Sequence, residues 1–486
     1  MSFSRILKTL QHGLGSAESC ADPEEARRRT RTLSVVEGGV WSFMAGFGDA
    51  FISPFAIFLK ASNRAVALLS TMPVLLGAFS QMIGASLTDR LGRRRDVIVP
   101  LVTIQALAFL PLFLIPLFLP SHAVLAVLLC AGLAVACGHA ATPAWMSLMG
   151  DVVPEAGRGD YFGRRGRVII LLVFLSTLSA GGVLTVMQQK GRVATGFAVL
   201  FSVACAARLL SARLLARHYD PPYRPTREQY FSFWDFLRRM PRSNFAKFAL
   251  FFALMTGAAN VAGPFFNVYM LRDLQWSYAQ FTVNTAAFLV TQFVLVRWWG
   301  RIGDRHGNRV VLVTTSLLLP VPAVLWTLST DYFVLLLVQI VAGAAWSGFS
   351  IGAQNFVYDA VTPGKRARIS AYSTVLNGTF TLLGGTLLGA WLANNLPETY
   401  PFGSHTVTFL SPLPGVFIVS ALLRALVAAI FLPLFREVRE TERIHPVALL
   451  LRLSGSDILT GFIWQTVLRL TPPKGRSVRF RRPRSD

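Results

Sequence analysis

The chain has 486 residues, 53% of them hydrophobic and only 15% charged, with a mean hydropathy of +0.51. A soluble domain is about one quarter charged, so this composition excludes an ordinary soluble protein and points to a chain that crosses a membrane many times. The formal net charge of +23 would suggest nucleic acid in a soluble protein, but here the cations fall in the connections between apolar runs and read as membrane topology, with no nucleic-acid partner.

The first 34 residues are read as a polar arm in which Arg27, Arg28 and Arg29 precede the first apolar run, without the apolar region and cleavage site of a signal peptide. A spanning helix needs about 20 mostly apolar residues. The first half offers Val35–Leu59, Ala65–Leu87, Val97–Leu119, Ala123–Met149, Val168–Met187 and Val193–Leu215 as predicted spans. A polar linker, 216–244, contains Asp220-Pro221-Pro222 and Arg224-Pro225, which break helix. Its segment Tyr230–Arg239 mixes aromatic and basic residues and is read as a surface helix or as juxtamembrane packing. The second half offers Phe245–Leu271, Tyr278–Trp299, Val310–Leu328, Tyr332–Val357, Ile369–Leu392 and Gly415–Leu434. The expected architecture is therefore an all-α integral membrane protein: a bundle over 35–215, the linker 216–244, a second bundle over 245–434, and a basic tail over 435–486. Within that tail Pro446–Leu470 is read as an interfacial helix and Lys474–Arg484 as a stretch drawn to anionic lipid.

Alternate connections carry the cations. Arg90, Arg93, Arg94, Arg95, Arg158, Arg164, Arg165, Arg167, Arg301, Arg305, Arg309, Lys365, Arg366, Arg368, the linker and both termini fall on one side. Only Lys60, Arg64, Lys190, Arg192 and Arg272 fall on the other. The positive-inside rule places both termini and the linker in the cytoplasm, and the expected location is a plasma membrane, the inner membrane of a bacterium.

Three motifs occur twice in the same order. Gly300-Arg301-Ile302-Gly303-Asp304-Arg305-His306-Gly307-Asn308-Arg309 is echoed by Ala85-Ser86-Leu87-Thr88-Asp89-Arg90-Leu91-Gly92-Arg93-Arg94. Gly48-Asp49-Ala50-Phe51-Ile52-Ser53-Pro54 in span 1 aligns with Ala258-Ala259-Asn260-Val261-Ala262-Gly263-Pro264 in span 7, each with small residues and a polar group ahead of a proline kink. Spans 4 and 10 end at Asp151 and Asp359, followed at equal spacing by Arg158 and Arg366. Two homologous membrane halves joined in one chain are the architecture of secondary transporters.

On these motifs the chain resembles the major facilitator superfamily of transporters over Val35–Leu434. The loop Gly300, Asp304, Arg305, Gly307, Arg309 matches the superfamily signature G-x-x-x-D-R-x-G-x-R at every position; the first copy, with Asp89, Arg90, Gly92 and Arg93, has Ala85 in place of the leading glycine. The glycine-proline pair of drug antiporters is missing from Ser179-Ala180-Gly181-Gly182. The resemblance implies Arg93 facing Asp151, Arg305 or Arg309 facing Asp359, and Asp89 and Asp304 capping or bridging helices, together a latch on the cytoplasmic face or a purely structural brace. It also implies a central cavity lined by spans 1, 4, 7 and 10.

An ionisable group in hydrocarbon costs at least ~2.5 kcal/mol, so each one asks for a reason. Asp49 is the leading candidate for a proton-titrating or substrate-contacting group, and His139, Asn260, Asn267 and Trp346 are further cavity candidates, each with a packing role as the alternative. Glu37 is read as interfacial, and Arg208 and Arg424 as snorkelling structural residues. No metal site, cofactor or disulfide framework is expected from Cys20, Cys130, Cys137 and Cys205. The loops hold no G-x-S-x-G, H-E-x-x-H or P-loop, so no enzyme is expected. The expectation is a monomeric permease for a small organic solute with protons as coupling ion; an uncoupled facilitator and a non-transporting scaffold or sensor are the alternatives.

Overall fold

The computed structural model describes residues 22–112, 114, 122–154, 158–222, 243–360, 363–402 and 405–437. Within them twelve helices are long and apolar enough to cross a bilayer. Spans 1 to 6 are Pro23–Phe58, Asn63–Leu91, Arg94–Leu112, Ala123–Val152, Tyr161–Gln189 and Val193–Leu215. Spans 7 to 12 are Asn244–Asp273, Tyr278–His306, Asn308–Leu325, Tyr332–Val357, Tyr372–Asn395 and Leu413–Phe431. Most of the linker and the tail from 438 onward, with the two surface helices expected there, lie outside the described residues. An even number of crossings puts Asp22 and Glu437 on one side, here called the terminal face; the opposite side is the far face.

No water is available in hydrocarbon to satisfy free backbone groups, so helix ends are capped by the chain. Asp22 accepts from Glu24 N at 3.0 Å, with Pro23 in the first helical position, where no N–H is needed. Ser62 and Ser243 cap spans 2 and 7, and Ser277 with Gln280 forms a reciprocal capping box at span 8. Span 1 begins well before Val35. Ala26, Thr30 and Leu33 are buried, and the backbone there is held by Tyr161 Oη on Arg31 O at 3.1 Å and Arg31 Nη1 on Val152 O at 3.1 Å.

Spans 1 and 7 are both interrupted, as their prolines predict. Span 1 is α-helical to Phe47, passes through Gly48 at φ −96° and ψ −78°, makes a 3₁₀ turn over Asp49–Phe51 and resumes at Ile52–Phe58. Span 7 is helical over Asn244–Asn260, resumes over Gly263–Val268 and ends in a π turn at Tyr269–Asp273. Pro54 and Pro264 cannot donate to the carbonyl four residues back, which leaves the break just ahead of each.

Each half has its own aromatic core. Phe55 meets Phe201 edge-on with centroids 5.0 Å apart in the first, and Phe248 meets Phe356 at 4.4 Å in the second. The described hydrogen bonds between halves gather toward the far face: Thr71 to Thr386 at 2.6 Å, Asn63 to Asn394 at 3.1 Å, Arg272 to Asn63 at 2.9 Å and Tyr278 N to Gln188 at 3.4 Å. Glycine allows the close approach there, since a Cβ on Gly385 would collide with Thr71 and one on Gly181 with Thr282. A feature that apolar patterning left as a plain connection is a β-hairpin between spans 11 and 12, with β1 (Thr399–Phe402) antiparallel to β2 (His405–Thr408).

Candidate functional site

The break in span 1 opens onto a cavity of about 630 Å³. Asp49, Ala50, Ser53, Ser70 and Asn267 line it, as do Glu37, well inside span 1, and Ile98, Arg165 and Leu215, close to the terminal-face ends of their spans. His139, Thr142, Gln105, Trp41 and Trp145 lie on the walls. Its size suits a small organic molecule.

Asp49 sits in the 3₁₀ turn, exposed to the cavity, and among the described residues nothing hydrogen-bonds to its carboxylate. Arg208 is the charged neighbour that acts on it through space. His139 packs against Gly77 and shares a hydrogen bond between its Nδ1 and Gln81 Nε2 at 3.1 Å. Asn267 reaches across from span 7 to Ser53 Oγ at 3.5 Å. Three of the candidates, Asp49, His139 and Asn267, therefore meet at one cavity. Asn260 and Trp346 do not. Asn260 turns back onto Thr256 O of its own helix at 2.9 Å, and Trp346 packs edge-on against Phe349 in the core of the second half.

Sequence reasoning missed the most heavily bonded part of the cavity wall. Glu37, 3% exposed, is not interfacial. It accepts from Ser211 Oγ at 2.8 Å and Arg165 Nη2 at 3.2 Å, with Arg208 Nη1 at 3.7 Å. Arg208 does not snorkel: it is buried and bonds Gln105 Oε1 at 2.8 Å and Ser211 Oγ at 2.9 Å. Arg165 also donates to Ser34 O at 3.1 Å and lies 4.5 Å over the Trp145 ring. This network ties spans 1, 3, 5 and 6 into one body. A buried charge is tolerated only when paired and hydrogen-bonded, and Glu37 meets both conditions. Its counterpart in the second half is built differently: Arg424 is buried and bonds Leu319 O at 2.9 Å, Ala259 O at 3.3 Å and Ser420 Oγ at 3.0 Å. Ala259 is next to the break in span 7, so this arginine braces the interrupted helix through the Ala259 carbonyl.

At the terminal face both signature loops turn on a left-handed or extended glycine. Gly92 has φ +67° and donates to Thr88 O at 3.0 Å; Gly307 has φ +93° and donates to Gly303 O at 3.0 Å. The arginine that meets Asp151 is Arg94, at 2.6 Å, and not Arg93, which caps span 3 with its side chain exposed. Arg94 is fully buried and also bonds Asp220 Oδ1 at 3.0 Å and Pro221 O at 2.7 Å. In the second half Asn308 Nδ2 bonds Asp359 at 2.6 Å, while Arg309 spends its guanidinium on Phe435 O at 2.9 Å and Leu432 O at 3.1 Å. The symmetry persists elsewhere: Asp220 accepts from Arg95 N at 3.0 Å and Glu437 from Arg309 N at 2.7 Å, each placing a carboxylate at the positive end of the third helix of its half.

Asp304 and Arg90 are exposed and, among the described residues, without partners; Asp89 and Arg305 are exposed as well. A Cβ on Gly300 would meet nothing within 4 Å, so close packing does not explain that glycine in this conformation. The side chains of Arg158 and Arg366 lie outside the described residues.

Two six-span halves with broken lead helices are the frame of a multi-pass membrane transporter; the cavity is lined by spans 1 to 6 and by Asn267 of span 7, and among the described residues its lining includes none of span 10, which was expected to contribute. The chain belongs to the Major Facilitator Superfamily, whose family model matches residues 39–266 and again 248–473. No curated protein matches the sequence. Among solved structures, a bacterial homologue of the iron transporter ferroportin in an inward-facing state superposes with a TM-score of 0.64 at 14% identity, covering 83% of this chain and 98% of that one. A bacterial homolog of the human lysosomal transporter Spinster, inward-facing and occupied, gives 0.63 at 15% identity over 85% and 97%. The nucleoside transporter NupG gives 0.60 at 14% identity over 85% and 99%. At these identities the likeness is one of fold.

Proposed function

We propose that the protein is a secondary active transporter that moves a small organic solute by alternating access and couples it to protons through Asp49. The observation that carries this reading is a carboxylate at a helix break, facing a cavity, with no hydrogen-bond partner among the described residues. A structural aspartate inside a membrane protein would be bonded; this one is held free to exchange a proton or to meet a solute.

The terminal face is the cytoplasmic one in this reading, because the cationic connections lie there. The cavity reaches toward that face while the halves are bonded at the far face, which corresponds to an inward-facing state. Asp304 and Arg90, without partners among the described residues, then belong to a latch that is undone in this state and closes when the cavity opens outward. The protein works as a monomer in a bacterial inner membrane.

The test is uptake into proteoliposomes under an imposed pH gradient, screened over a panel of metabolites. Wild-type protein should accumulate its solute with proton flux, and Asp49→Asn should exchange solute without accumulating it. Equal accumulation by Asp49→Asn and wild type would overturn the assignment of coupling to Asp49. Downhill flux that ignores the pH gradient in the wild type would identify a facilitator instead.

A further inference from the structure

The charges around the cavity do not cancel locally. Glu37 is shared by Arg165 and Arg208, two guanidinium groups on one carboxylate, so that cluster keeps one unit of positive charge. Asp49 supplies one unit of negative charge elsewhere on the same wall. Both groups line the same cavity, yet no ion pair joins them within the described residues.

Their hydrogen-bonding capacity is unspent in a complementary way. Arg208 uses Nε on Gln105 and Nη1 on Ser211, and among the described residues its Nη2 has no partner. Among the described residues Asp49 accepts no hydrogen bond. The wall of the same cavity also carries apolar and aromatic side chains, among them Trp41, Met44, Ile52 and Leu69.

Alternating access requires the cavity to close over its cargo and exclude water. Closure strengthens every charge interaction inside and leaves any unpaired charge without solvent. A singly charged solute would satisfy either Asp49 or Arg208 and strand the other. A solute bearing both charges would satisfy both and enter with no net charge.

We propose that the transported solute is a small organic zwitterion with an apolar body, its ammonium group seated on Asp49 and its carboxylate on Arg208. This rests on the transport reading above and adds the substrate class. Asp49 then has two competing cationic partners, a proton and the ammonium group, and Arg208 acts in both the wall network and recognition.

The test is thermal stabilisation of the purified full-length protein by matched triads: leucine, phenylalanine and glycylphenylalanine, each beside its methyl ester and its N-acetyl derivative. At least one zwitterion should stabilise the protein, and both of its singly charged forms should bind at least about tenfold more weakly, the loss expected for one charged hydrogen bond. In Asp49→Asn, whose side chain has no structural partner to lose, the N-acetyl form should bind as well as the parent zwitterion. An ester that binds as tightly as its zwitterion, an N-acetyl form that does so in the wild type, or no stabilisation by any triad would each overturn the proposal. Counterflow in proteoliposomes separates the two readings. A zwitterion that binds and is never exchanged refutes transport and leaves the charge assignment standing, whereas exchange of an ester alone refutes the zwitterion and leaves transport standing.

Discussion

Replacing Asp220 by alanine should destabilise the first half far more than replacing Asp151. Arg94 is 0% exposed and Asp220 9% exposed, while Asp151 is 53% exposed. Water can therefore take over much of what Asp151 gives to Arg94, and a pair of that kind contributes about 1 kcal/mol at most. Breaking a buried pair costs about 3–5 kcal/mol because a buried charge is left uncompensated. Here Asp151, Ser147 and Pro221 O still hold Arg94, which reduces the loss, but Asp220 also caps Arg95 N, and losing a cap costs about 1 kcal/mol. The net expectation is about 3 kcal/mol for Asp220→Ala and about 1 kcal/mol for Asp151→Ala. Reversible unfolding in mixed micelles measures both, with Arg94→Ala completing the double-mutant cycles. If Asp151→Ala costs as much as Asp220→Ala, the assignment of Arg94 to a buried pair with Asp220 is refuted.

Arg424→Lys keeps the charge and loses the planar fork that reaches Leu319 O and Ala259 O; it should cost about 2 kcal/mol, and an unchanged melting temperature would show that the carbonyl bracing contributes nothing. His218 is 1% exposed, with neither ring nitrogen bonded, and burial, aided by the Arg165 charge, pushes its pKa from 6.5 down to about 3. It stays neutral in the fold while the unfolded chain protonates, so stability should fall as the pH drops from 6.5 toward 3, by on the order of 1 kcal/mol per pH unit. His218→Phe should flatten that acid limb in an unfolding titration; an identical limb would show that His218 is not its source.

Much of this fold is legible because hydrocarbon imposes so few solutions. Apolar runs of sufficient length mark each of the twelve spans among the described residues, and Pro54 and Pro264 mark both helix breaks. The start of span 1 is hidden in the sequence for a physical reason. Arg27 to Thr32 is hydrophilic, yet Ala26, Thr30 and Leu33 form a narrow buried stripe, and the helix therefore starts at Pro23. Moving that start places Glu37 well inside span 1, where it needs partners. Those partners come from Arg165, Arg208 and Ser211 on two other spans, which no linear motif connects, although opposite charges at similar depth in separate spans are a readable signal. Neighbouring Arg93 and Arg94 were likewise indistinguishable by motif. Only the burial of Arg94 beneath Asp220 decides between them.

In transport by alternating access the two halves separate at the far face during each cycle. Asn63 and Asn394 face each other across that seam, with Asn63 Nδ2 3.1 Å from Asn394 Oδ1. Cysteines at both positions, in a background lacking Cys20, Cys130, Cys137 and Cys205, should cross-link on mild oxidation, stop solute exchange in proteoliposomes and recover it on reduction. Full cross-linking with undiminished exchange would contradict the account.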